Sequence, residues 1–61
     1  MRELGKLETE LVALILQAEA TYRAAMKIAG TTEIRPLIAD AVDSLYSAKD
    51  MTRLEREKRN E

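Results

Sequence analysis

The sequence predicts an all-α fold: a two-helix antiparallel hairpin that dimerises into a four-helix bundle. Three observations carry that expectation. Apolar residues recur at alternating steps of four and three along two long segments. Gly30, Thr31 and Thr32 interrupt the pattern between them. The apolar content also exceeds what one neighbouring helix can cover.

The first helix is expected over about residues 2–29. Leu4, Leu7, Leu11, Leu14, Ala18, Thr21, Ala25 and Ile28 form its heptad seam, with Ile15, Tyr22 and Ala29 beside it. Ala, Leu, Glu, Lys, Gln and Met dominate the segment and are good helix formers. Glu19 precedes Arg23 by four residues, the favourable orientation for an exposed pair. Gly5 is a weak point in the first turns, where fraying costs little. A helix of this length spans about 40 Å.

The turn is expected over about residues 30–33. Gly30 can take the left-handed conformation past a helix end, and Lys27 puts a cation where the helix dipole favours one. The hydroxyl of Thr31 or Thr32 can cap the second helix, and Glu33 has the right sign for its first turn. Pro36 leaves the start open between Glu33 and itself. Arg35 precedes proline, leans extended and favours the later start. So short a connection makes the helices antiparallel neighbours.

The second helix is expected over about residues 34–54. Ile34, Ile38, Ala41, Leu45, Ala48 and Thr52 form its seam, with Leu37 and Val42 flanking and Asp40, Asp43, Ser47 and Asp50 on the opposite side. Leu54 falls off the seam. Residues 55–61 are nearly all charged and read as a solvated helical extension that frays, with Glu55 able to pair with Arg59 and Asp50 with Arg53. Leu7, Leu11, Leu14, Ile38 and Leu45 are the residues expected to carry the core.

A chain of 61 residues makes one domain at most, and one core of that size supplies roughly 3–5 kcal/mol. Starting at Met1 with no tag-like extension, it reads as a complete small open reading frame. There is no Cys, which removes disulfides and thiolate metal sites, and no His, the usual nitrogen ligand of zinc and di-iron bundle sites. Association is the remaining source of stability. The run Leu11–Leu16 is apolar all round the helix, so Val12, Leu16 and Met26 point away from the seam, and Tyr46 lies at the border of the second stripe. These four are the expected intermolecular contacts. Two readings stand: the core of a homodimer, or a docking groove for a different protein.

Catalysis has little to stand on. Without His or Cys, and with Ser44 and Ser47 lacking a base, no catalytic residue is expected. Gly5 and Gly30 are isolated, so no phosphate loop, cofactor or small-molecule substrate is indicated. Asp40 and Asp43 stand one turn apart and could hold a hard cation, but an exposed pair reads as solvated surface, and no metal is expected. Glu8 and Glu10 do not share one face. Formal net charge is −1, and Arg53, Arg56, Lys58 and Arg59 are interleaved with Asp50, Glu55, Glu57 and Glu61. Nucleic acid is therefore not the expected partner. A dimeric RNA- or DNA-binding regulator using that basic end is the alternative. Leu11–Leu16 is far shorter than the ~20 residues of a spanning helix, and Met1-Arg2-Glu3 does not open a signal peptide. A cytoplasmic protein without a membrane segment is expected.

The layout resembles several bacterial and phage families. It is similar in architecture to the Rop-type plasmid copy-number regulators, which implies a hairpin dimer and RNA binding. The early Leu7-Glu8-Thr9-Glu10-Leu11, a long Ala-rich helix, a Gly-containing turn and an Ala/Leu-patterned second helix resemble the needle-protein co-chaperones of type III secretion. That resemblance implies a partner helix covered by an apolar face. The sporulation aspartyl-phosphate phosphatases carry Ser-x-x-x-Asp on the second helix. Here the stretch is Ala39-Asp40-Ala41-Val42-Asp43, without the serine. The function expected is protein–protein interaction, by a small non-enzymatic regulator, inhibitor or co-chaperone.

Overall fold

A computed structural model describes residues 3–60. Met1, Arg2 and Glu61, which the expected first helix and charged tail include, lie outside the described residues. The chain is all-α: α1 spans Glu3–Met26 and α2 spans Arg35–Arg59, packed along each other as a hairpin. Its principal extents are 47 × 14 × 9 Å, a flat slab one helix thick and two wide.

α1 stops at Met26, earlier than residue 29. Lys27 and Ile28 continue as a tighter turn, with their N–H groups donating to the carbonyls of Ala24 and Ala25. Gly30 follows with φ 85°, where a side chain would strain the backbone. Thr31 does a different job from capping α2. Its hydroxyl lies 2.6 Å from the Ala25 carbonyl and 2.8 Å from that of Ile28, sharing its one hydrogen with the open end of α1. Arg35 Nε donates back to the Thr31 oxygen at 3.0 Å, and Nη2 reaches the Met26 and Ile28 carbonyls at 3.3 Å. A guanidinium thus sits at the negative end of the α1 dipole.

That clasp explains why Arg35 is helical although it precedes proline. Ile34 is already in the αR region, no side chain caps α2, and Pro36 occupies the first turn, where its missing N–H is not needed. At the other end, α2 runs on through the charged stretch to Arg59. Asn60 closes it in the left-handed conformation, with its N–H directed to the Arg56 and Glu57 carbonyls. Arg59 Nε donates to Glu55 Oε2 at 2.7 Å. Arg56 leaves the tail altogether and crosses to α1.

The helices meet along a seam turned from the expected one. The less exposed positions of α1 include Leu4, Glu8, Leu11, Ile15, Ala18, Tyr22 and Ala25; on α2 they include Ile38, Val42, Leu45, Lys49, Thr52 and Arg56. Leu11, Ile38 and Leu45 are half-buried at the seam, whereas Leu7 and Leu14 are 43% and 48% exposed beside it. Ile34 and Ala41 leave the seam of α2 as well. One residue is 100° of helix, so each helix has turned by about 50°, half a step, relative to the expected stripe. Side-chain volume is the reason. The expected seam would use Thr21 and Ala41 where the observed one uses the larger Tyr22 and Val42. The observed one alternates Ile15 and Tyr22 with Ala18 and Ala25, opposite Val42 and Leu45, so large fills against small. Ile15 at 4% exposure and Ala25 at 8% are the only buried side chains among the described residues.

Candidate functional site

Heptad register assigns the remaining side chains to two broad faces. On one, α1 contributes Leu7, Leu14 and Thr21 with Gln17 and Ala24 outside them, and α2 contributes Ala41 and Ala48 with Leu37, Ser44 and Met51. Ile28 and Ile34 lie at its loop end. Leu37 and Met51 are 68% and 71% exposed. The charged residues that the register places on this face, Glu3, Glu10, Glu55 and Lys58, lie in the half away from the loop.

The opposite face holds all four expected contact residues, Val12, Leu16, Met26 and Tyr46, each exposed. Polar groups stand among them. The Tyr46 hydroxyl donates to Glu19 Oε2 at 2.8 Å across the two helices. That hydrogen bond, some loss of solvent and the Glu19 charge together raise the phenol above the ordinary tyrosine range. Lys49 Nζ lies 5.3 Å from the Tyr46 ring centre, within cation–π reach. Beside them an open groove of about 330 Å³ is lined by Glu19, Tyr22, Arg23, Ala39, Val42 and Asp43.

At the open end, Arg56 Nη1 stands 2.9 Å from Glu8 Oε1, an oxygen with almost no contact with water. The approach is off the hydrogen-bond direction, so the pair is a charge contact rather than an aligned hydrogen bond. Glu8 was not among the expected site residues. Its partner is on the far helix, and no local signal in the sequence marks the pair. Arg53 and Asp50 touch at 4.0 Å with both side chains exposed, a geometry that contributes little.

Asp40 does not join Asp43 at the groove; Glu19 and Arg23 do. No group of three or more His, Cys, Asp or Glu suited to a metal exists among the described residues. None of their helices is long and apolar enough to cross a membrane. Comparison with protein families, curated proteins and solved structures finds no match to this chain. The resemblances noted from the sequence therefore rest on the helical-hairpin layout alone.

Proposed function

We propose that the chain is a small non-enzymatic protein-interaction module of the cytoplasm, a regulator, inhibitor or co-chaperone, that works by laying an apolar helical face on a partner. One observation carries the reading. Two side chains are buried among the described residues, while eleven large apolar ones stay exposed, most of them on the two broad faces. Each gains roughly 1.5–3 kcal/mol on full burial, and a slab one helix thick cannot cover them itself. A docked pair of helices would complete a four-helix bundle.

The nucleic-acid alternative finds less support. Arg53, Arg56 and Arg59 each lie against a carboxylate, of Asp50, Glu8 and Glu55 respectively. Phosphate binding needs cations free of such partners.

The test is helicity against concentration by circular dichroism, with mass by light scattering on the same samples. The reading expects helicity that depends on association, with itself or with an added partner. A chain fully helical and monomeric at every concentration would sink it, because its faces would then need no cover.

A further inference from the structure

We infer that the occupant of the Leu7, Leu14, Leu37 and Met51 face is a second copy of this chain; the inference rests on the docking reading above. Three observations select a copy over an unrelated partner.

The first is area. The broad side of the slab measures 47 × 14 Å between Cα atoms, about 660 Å² before side chains widen it. A stable interface of standard size takes about 800 Å² from each partner. An identical slab covers the face end to end, since the two helices have 24 and 25 residues and end nearly level.

The second is composition. Leu14, Gln17, Ser44 and Ala48 stand at the middle of the face, with Leu7 and Met51 towards the open end and Thr21, Ala24, Leu37 and Ala41 towards the loop. No charged group stands at the middle to be stripped of water.

The third is the pattern of charge at the rim. Glu10, two turns into α1, and Lys58, in the last turn of α2, lie in the half away from the loop. Lys27, just after α1, and Glu33, just before α2, mark the loop end. All four are exposed, and none makes an ion pair among the described residues. Two hairpins stacked face to face with loops at opposite ends bring Lys27 towards Glu10 and Lys58 towards Glu33. With loops at the same end, Lys27 meets Glu33 and Lys58 meets Glu10. Either twofold puts opposite signs together, the self-complementarity an isologous interface requires. The other broad face carries Glu19, Arg23 and Asp43 around its groove, where a covering copy would have to bury them.

The test is light scattering on the whole chain and on single variants. The expected mass is twice the 6.9 kDa of one chain. Met51→Glu should weaken the dimer at least tenfold. Met51 is 71% exposed within the hairpin, so its loss cannot be mistaken for a lost core. Leu16→Glu, on the opposite face, should leave the mass unchanged. Lys58→Glu should weaken association a few-fold, and a second change at Glu33 or at Glu10 to Lys should restore it, the restoring position reporting which twofold is used. A dimer that survives Met51→Glu and falls with Leu16→Glu overturns the assignment of the face. A poorly helical monomer at high concentration overturns the copy as occupant and leaves the docking reading standing. A fully helical monomer at all concentrations overturns both.

Discussion

The two broad faces of the hairpin are built from the same two helices, yet they differ in what stands among their apolar side chains. One carries alanines, Thr21 and Ser44 beside Leu14; the other carries Glu19, Arg23, Asp43 and Tyr46, already bonded or gathered around a groove. Exposed apolar area is present on both, so area alone does not tell them apart. The difference lies in the polar groups that burial would strand. A face with none at its centre can be covered permanently. A face with a satisfied Tyr–Glu bond and flanking charges suits a partner that comes and goes. The seam between the helices belongs to both faces, and whatever breaks it removes the comparison altogether.

The largest effect is therefore expected at the seam. Ile15 is the most buried side chain, and Ile15→Ala should cost about 2–5 kcal/mol, enough to abolish cooperative thermal unfolding in so small a domain. A melting curve close to that of the parent chain would show that the seam runs elsewhere. Next comes the ion pair at the open end. Arg56→Ala leaves the enclosed Glu8 oxygen without its cation and should cost about 1–3 kcal/mol. Changing Glu8 and Arg56 together to apolar residues should recover most of that loss. A double change as costly as Arg56→Ala alone would mean that the pair does more than neutralise charge.

The hairpin itself was legible in the sequence: two amphipathic stretches, a glycine break and a connection too short for anything but antiparallel neighbours. The rotation of each helix was not. Leu4, Leu11, Ala18 and Ala25 serve both candidate seams, so the choice falls between Leu7, Leu14 and Thr21 on one side and Glu8, Ile15 and Tyr22 on the other. Counting apolar residues favours the first set. Filling space against α2 favours the second, and that depends on side chains contributed by the other helix. The same limit hides the Glu8–Arg56 pair, whose members come from opposite ends of the chain; the Arg35 clasp is local, but it depends on where α1 stops. Val12, Leu16, Met26 and Tyr46 could be read as pointing away from the seam, because that follows from angle alone. That the more continuous apolar face lies opposite them follows only once the rotation is known.

A smaller change sharpens the polar side. Gly5 lies in the first turns of α1, and a Cβ added there would meet Arg56 Nη1 at 3.6 Å and Cδ at 3.9 Å, ordinary contact with a flexible side chain. Gly5→Ala should stabilise the hairpin by about 0.5–1 kcal/mol by lowering the entropy of the unfolded chain. A loss of stability would mean that the guanidinium cannot yield there without disturbing Glu8.

The finest probe is the Tyr46–Glu19 bond, because it reports whether the polar face stays open. In a Tyr22→Phe chain the phenolate absorbance follows Tyr46 alone, and its midpoint should lie above the ordinary value of about 10. Folding raises this pKa, so the contribution of the bond to stability is complete below pH about 10 and is lost as pH climbs through the folded value. Glu19→Gln removes the charge and should bring the midpoint back towards 10. If a second chain covers only the opposite face, the titration should not change across the concentrations at which the mass doubles. A further rise on association would place Tyr46 in the interface, and the two faces would have to exchange roles.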